Sequence, residues 1–137
     1  SDLHKYTKKH LINKEETDEY KYRLIHTDKQ TVYSIRPHKY QDGYKVFLSV
    51  TGSWNIFVDN CGMTQSIAFI RTNDEETAIK YKKMLQHPLY KFINDICRWG
   101  NFNCIRILNR MAVPDDENEI YNSFNISQEE INFIEGI

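Results

Sequence analysis

The chain has 137 residues, of which 40% are hydrophobic and 27% charged, and its formal net charge is −1. This length and balance predict one domain with a single hydrophobic core, and they exclude a disordered or low-complexity chain. No apolar run approaches the roughly 20 residues that a bilayer requires, so the sequence predicts no membrane-spanning helix and no membrane partner.

The cysteines and the first residues bear on the cellular compartment. The three cysteines, Cys61, Cys97 and Cys104, include no C-x-x-C pair. Their odd number and their spacing argue against a disulfide framework and against a structural zinc site. The first residues also lack the apolar stretch of a signal peptide. We therefore expect a cytoplasmic protein with reduced thiols.

Charge is divided unevenly along the chain. Residues 113–137 contain seven acidic residues and no Lys or Arg. Subtracting this −7 from the net charge of −1 leaves +6 for residues 1–112. A basic body with an acidic tail is typical of proteins that bind nucleic acid, although chance clustering of surface charge produces the same pattern.

The predicted elements begin after a polar lead-in over residues 1–19. Alternating and β-branched runs predict strands at 20–26, 31–35, 45–50, 54–58 and 66–71. Asp42-Gly43 predicts a tight hairpin turn, because both residues of such a turn need positive φ. Short strands with closely spaced turns predict antiparallel pairing, since parallel strands need long crossover connections.

The hydrophobic period then lengthens to that of a helix. Asn73 is the predicted N-cap of a helix over residues 74–86, with acidic residues in its first turn. Pro88 begins a second helix, whose apolar stripe consists of Leu89, Phe92, Ile93 and Ile96.

The C-terminal part completes the predicted fold. Residues 104–111 are a short apolar segment that fits a strand or a helix, and residues 127–130 form a capping box that begins a last short helix. Strands followed by helices predict a single α+β domain over residues 20–137. We expect an antiparallel sheet from the N-terminal half, with the helices of the C-terminal half packed on one face.

The sequence predicts no catalytic residues and no metal site in this chain. Its glycines are too far apart for a phosphate-binding loop, and its histidines stand singly, without carboxylates at metal-ligand spacing. Glu19-Tyr20-Lys21 fits the E-x-K pattern of a small metal-dependent nuclease. No upstream acidic strand completes that site, so a nuclease is the least favoured alternative.

Side chains that could bind DNA are frequent in the predicted turns and at helix ends. Arg can pair with guanine and Asn or Gln with adenine through two hydrogen bonds, while Lys, Ser and Thr bind phosphates and Trp can stack on bases. Ordinary solvated loops contain the same residue types, and a core or edge position is the more usual role for a Trp. The predicted DNA-binding residues are Arg36, Lys39, Lys45, Ser53, Asn55, Asn60, Thr64, Gln65, Arg98, Trp99, Asn101 and Asn103.

Several segments also follow one another in the order of a known family's motifs. They are Lys45-Val46-Phe47-Leu48-Ser49 with Gly52, Asp59-Asn60 with residues 63–66, the paired helices of residues 74–92, residues 99–103 with Pro114, and residues 120–131. In this order they resemble the C-terminal target-recognition (specificity) domain of adenine-specific DNA methyltransferases, especially in fused type II restriction-modification enzymes with a TaqI-like specificity domain. The chain departs from the family at Gln86-His87-Pro88, where relatives commonly have Asn-Ser-Lys, and at its close, which has one proline.

The resemblance implies a DNA sequence-recognition domain that is non-catalytic on its own and binds double-stranded DNA. It also implies a parent restriction-modification or adenine-N6 methyltransferase protein, in which S-adenosylmethionine belongs to a linked or associated methyltransferase domain. This chain contains neither an Asn-Pro-Pro-Tyr-type motif nor a glycine motif for that cofactor. The main alternative is a protein-interaction domain that docks a basic partner through the acidic residues 113–137.

Overall fold

The computed structural model describes residues 3–6, 8–98, 100, 102–103 and 119–136. The strands are β1 (Ile12–Asn13), β2 (Tyr22–Thr27), β3 (Gln30–Ser34), β4 (Lys45–Ser49), β5 (Ile56–Asp59), β6 (Gly62–Met63) and β7 (Ile67–Arg71). The helices are α1 (Glu75–Leu85), α2 (Pro88–Cys97), α3 (Ile120–Ser123) and α4 (Gln128–Glu135), and a 3-10 turn at Lys9–Leu11 precedes β1. Antiparallel-rich sheets followed by helices confirm the α+β prediction.

The described strands form two sheets, where the sequence predicted one. Sheet A has the order β1-β3-β2-β6, and sheet B has the order β5-β4-β7. All pairs are antiparallel except β2 with β6, which run parallel over a short stretch. A hairpin joins β2 to β3, where Thr27 pairs with Gln30.

The predicted hairpin at Asp42-Gly43 is wrong. Gly43 does have a positive φ of 94°, so the chain turns there as expected. However, β3 pairs within sheet A and β4 pairs within sheet B, so this turn links two sheets. The residues of a turn determine the local path of the backbone, but they do not determine whether the two flanking strands pair with each other.

Strand β4 lies at the centre of the fold and is buried along its whole length. Successive side chains of a strand point to opposite faces. Val46 and Leu48 pack in a cluster with α1 residues that include Ala78. Phe47 packs in another cluster with sheet A residues that include Ile25. Sheet B is therefore covered by helix α1 on one face and by sheet A on the other.

Helices α1, α2 and α4 begin after residues whose side chains accept hydrogen bonds from free backbone N–H groups of the first turn. Asp74 caps α1, since its Oδ1 accepts a hydrogen bond from the Thr77 N–H at 2.7 Å. The prediction of Asn73 as the N-cap was therefore off by one residue. The predicted capping box of α4 is confirmed, with Ser127 and Glu130 exchanging both hydrogen bonds. Either Asn or Asp can cap a helix, so residue type alone did not separate Asn73 from Asp74.

Helices α2 and α3 extend the hydrophobic packing beyond α1. Met84 at the end of α1 packs with Leu89 and Tyr90 of α2 and with Ile120 of α3. No helix within the described ranges is long and apolar enough to cross a membrane. The apolar segment predicted at residues 104–111 lies outside the described residues.

Candidate nucleic-acid interface

The predicted DNA-binding residues divide between the two ends of strand β4. Four residue steps of about 3.3 Å separate Lys45 from Ser49, so these ends lie about 13 Å apart. We refer to them as the Lys45 end and the Ser49 end. Strand register and hydrogen bonds place Ser53, Asn55, Thr64, Gln65, Arg98 and Asn103 at the Ser49 end. They place Arg36, Lys39, Lys45 and Asn60 at the Lys45 end, whereas Trp99 and Asn101 lie outside the described residues.

A polar network holds the loops together at the Ser49 end. The Ser49 hydroxyl accepts a hydrogen bond from the backbone N–H of Asp28 at 2.6 Å. Asn55 Nδ2 donates to Asp28 Oδ2 at 3.2 Å, and the Asn55 side chain is exposed. Asn103 Nδ2 donates to the backbone oxygens of Ser49 at 2.9 Å and Ser53 at 3.2 Å. These contacts give the loop after β4 a defined position.

Asn103 and Arg98 act mainly as internal supports of this loop. Asn103 is 5% exposed, and its Oδ1 accepts from Asn94 Nδ2 at 3.1 Å, so its donors and its acceptor are engaged within the fold. Arg98 Nη2 donates to the backbone oxygen of Gly52 at 2.9 Å. Within the described part of the chain, Arg98 Nε is buried without a hydrogen-bond partner.

Thr64 and Gln65 follow β6 at the same end. Thr64 is 1% exposed, and its Oγ1 lies 2.6 Å from Nδ1 of the buried His26. Burial lowers the pKa of His26, and the nearby charges of Lys5 and His4 lower it further. Gln65 is half-buried, and its Oε1 accepts a hydrogen bond from the Lys5 backbone N–H at 3.0 Å.

Lys45 is a buried lysine at the opposite end of β4. It is 1% exposed, and Nζ donates to the backbone oxygens of Asp42 at 3.2 Å, Gly43 at 2.7 Å and Cys61 at 3.0 Å. An ammonium group has three N–H donors, and all three have partners here. Desolvation by burial lowers the pKa of Lys45. The Lys45 side chain therefore joins the turn at Asp42-Gly43 to the turn at Cys61 and is shielded from solvent.

The other candidates at the Lys45 end are exposed. Lys39 Nζ lies 5.3 Å from the centre of the Tyr40 ring, and the Arg71 guanidinium carbon lies 4.5 Å from the same centre. Arg36 is exposed after β3, and Asn60 is exposed after β5. The cations around Tyr40 are separated from the Ser49 end by the length of β4.

The sequence prediction missed the N-terminal strap, which we define as the described residues 3–6 and 8–14. Leu3 is fully buried in a cluster with Leu24 and Val32, so the strap packs on sheet A and contributes to the core. Over these residues the sequence has four lysines and no acidic residue. A groove of about 470 Å³ runs beside the strap. Its lining includes Lys5, Tyr6, Lys9, Ile12, Asn13 and Lys14.

The strap joins the Ser49 end through two contacts. One is the hydrogen bond from the Lys5 N–H to Gln65. The other is an edge contact between the Tyr6 and His26 rings, whose centres lie 6.0 Å apart. Tyr6 remains 59% exposed at this junction. A lysine-bearing strap and amide-bearing turns therefore form one connected surface. The run of lysines without acids is the sequence signal that could have identified it.

The described residues do not assemble a metal centre. No group of three or more His, Cys, Asp or Glu side chains within them could hold a metal ion. Glu19 and Lys21, the residues of the nuclease-like pattern, are exposed ahead of β2. The buried Cys61 has its pKa raised to about 11, first by burial and then by the charge of Asp59, so its thiol is neutral.

No protein family, curated protein or solved structure matches the chain.

Proposed function

We propose that the chain is the DNA sequence-recognition domain of a restriction-modification or adenine-N6 methyltransferase protein. It binds duplex DNA along the surface formed by the strap and the Ser49 end. The observation that carries the proposal is the hydrogen bond from the Lys5 N–H to Gln65 Oε1, which sets Lys5 of the strap beside the amide-bearing turns. Phosphate contacts position a protein on DNA and base contacts select the sequence, so an interface needs both kinds of group together.

The strap supplies the phosphate contacts in this proposal. Lys5, Lys9 and Lys14 line the groove, and lysines that neutralise phosphates release counterions from DNA. The exposed Tyr6 stands between the lysines and the turns, where its hydroxyl can donate to a phosphate or sugar oxygen.

The turns at the Ser49 end supply the base contacts. Asn and Gln side chains recognise adenine by donating one hydrogen bond and accepting another. Asn55 is the exposed amide of these turns, with Nδ2 bound to Asp28 across the loop. The half-buried Gln65 bonds to Lys5 through Oε1 and to the Ser66 hydroxyl through Nε2, so it mainly holds its turn against the strap. The buried Thr64 and Asn103 hold these turns in place and thus act as positioning residues.

The chain itself performs no methyl transfer in this proposal. A linked or associated methyltransferase domain binds S-adenosylmethionine and takes the target adenine out of the helix, while this domain chooses the site. The assignment of methyl transfer to another domain rests on the resemblance of residues 45–131 to target-recognition domains. A protein with this function would act in the cytoplasm, where DNA is accessible.

The test compares two triple variants of equal charge. The first replaces Lys5, Lys9 and Lys14 of the strap with Ala, and the second replaces Lys80, Lys82 and Lys83 of α1 with Ala. Binding of a labelled duplex is measured by fluorescence anisotropy over a salt series. We expect the strap variant to reduce the slope of log K against log salt by up to about 0.9 for each lost phosphate contact.

The α1 variant is the control for net charge and should retain most of the wild-type slope. Equal losses in both triple variants would show a general charge effect and would refute the strap as the interface. Absence of duplex binding at low salt, by the chain alone and by the chain joined to a methyltransferase domain, would refute the proposed function.

A further inference from the structure

A second surface, unrelated to the strap, lies between helices α2 and α4. It is an apolar groove of about 710 Å³ whose walls include Leu89, Phe92 and Ile93 from α2, and Phe133 and Ile134 from α4. The Phe92 and Phe133 rings meet edge to face, with their centres 5.8 Å apart. Phe133 is nevertheless 76% exposed, so much of an aromatic side chain faces solvent at the groove.

The packing of α4 explains why the groove is open. The helix is well formed at both ends, with the Ser127–Glu130 capping box at its start and Gly136 in the left-handed conformation at its end. None of its eight residues is fully buried, although several are apolar. A large exposed apolar patch with polar residues at its rim is characteristic of an interaction site.

The charge around the groove is negative. Glu129 and Glu130 line it, and residues 119–136 contain no Lys or Arg. Hydrogen bonds from Ser127 hold the pKa of Glu130 below its usual value, so this carboxylate stays charged at neutral pH. On the facing helix, the positive charge of Lys91 is offset by an ion pair with Asp95, in which Nζ lies 3.1 Å from Oδ2. The rim would therefore repel DNA and anionic lipid, and it would attract a cationic partner.

We propose that this groove binds a basic amphipathic helix of a partner protein. Apolar side chains at positions i, i+3 or i+4, and i+7 of that helix would pack between Phe92 and Phe133. Lys or Arg residues on its flanks would pair with Glu129 and Glu130. This is the helix-in-groove mode of recognition, and two to three turns of the ligand would match α2 and α4, which are about 15 Å and 12 Å long.

The test uses the full chain and a labelled synthetic peptide of about 14 residues, made of Leu and Lys in a helical period. One control peptide has Glu in place of every Lys, and another has the same Leu and Lys composition without the helical period. We expect binding of the first peptide at concentrations below about 100 μM and much weaker binding of both controls.

Matched variants assign the binding to the groove. Phe133→Ser removes an apolar wall of the groove on α4, so it should weaken peptide binding about tenfold or more. A tenfold loss corresponds to about 1.4 kcal/mol of binding free energy. Ile79→Ser, at an exposed apolar position of α1, should leave binding within about twofold of wild type. Glu129→Lys should weaken binding severalfold, whereas Glu76→Lys, at the equivalent position in the first turn of α1, should not.

Circular dichroism of each variant verifies that the fold is retained. Failure of the chain to bind the basic peptide, or equal binding by all variants, would overturn the proposal. A wild-type dimer in sedimentation that Phe133→Ser dissociates would assign the groove to a second copy of the chain and would also overturn it. None of these results depends on DNA binding, so they leave the proposed function open to its own test.

Discussion

Asn103 donates a hydrogen bond from Nδ2 to the backbone oxygen of Ser49 at 2.9 Å, across 54 residues of the chain. The same amide group also bonds to the Ser53 backbone and to the side chain of Asn94. This buried amide is therefore the support on which the loop after β4 rests, and the loop carries Asn55 of the proposed interface.

Replacing Asn103 with Ala should destabilise the protein. The substitution removes the hydrogen bonds of this side chain to the buried Asn94 and to the backbone of Ser49 and Ser53, and we expect a loss of about 2–4 kcal/mol in the free energy of unfolding. Urea denaturation monitored by circular dichroism measures this loss. Asn122→Ala, at an exposed position on α3, is the control and should cost less than about 0.5 kcal/mol. An equal cost for both variants would contradict the supporting role of Asn103.

Replacing Lys45 with Met should destabilise the protein although the volume and the apolar stem are kept. The ammonium group donates to the backbone oxygens of Asp42, Gly43 and Cys61, and Met offers these oxygens no donor. We expect a loss of about 2–4 kcal/mol in the free energy of unfolding, measured by urea denaturation. The exposed Lys39→Met is the control. A stabilising effect of Lys45→Met would show that desolvation of the ammonium outweighs its hydrogen bonds.

Acid should destabilise the fold through His26. The pKa of His26 in the folded protein lies below its value in the unfolded chain, because the ring is buried and faces the charges of Lys5 and His4. The unfolded state then binds more protons just below pH 6.5, so stability is fully present above that pH and is lost as the pH falls through the folded pKa. One such group contributes a slope of at most about 1.4 kcal/mol per pH unit.

The variant His26→Gln isolates this contribution, since Gln keeps a polar group beside Thr64 and does not titrate. We expect the free energy of unfolding of the variant to change less steeply than that of wild type between pH 7 and pH 5. Urea denaturation at several pH values measures both slopes. Parallel pH profiles for the two proteins would rule out His26 as the titrating group.

Replacing Asn55 with Ala should change the DNA sequence preference and leave the salt dependence alone. A base contact by an amide contributes about 1–3 kcal/mol of discrimination, whereas phosphate contacts determine the salt slope. Binding of a randomised duplex pool, followed by sequencing of the bound fraction, measures the preference. Asn60→Ala, at the Lys45 end, is the matched control. Loss of preference in the control alone would move the base-reading surface to the Lys45 end.

Sequence patterns predicted the elements well where a local signal exists. The strand at 45–50 and the helix with a capping box at residues 127–130 depend on neighbouring residues, and both occur close to the predicted positions. The two-residue strands β1 and β6 were missed, because such short segments have no period to detect. The allocation of β3 and β4 to different sheets was also missed, since alternation identifies the faces of a strand and not its partners.

The sequence by itself determined the order of strands and helices, the excess of positive charge before residue 113 and the residue types that could bind DNA. Only the tertiary structure decided which of these residues reach the surface together. It buried Lys45, Thr64 and Asn103, and it brought the strap beside Gln65. The physical reason is that burial and long-range hydrogen bonds depend on contacts between residues far apart in the chain, which local periodicity and composition do not record.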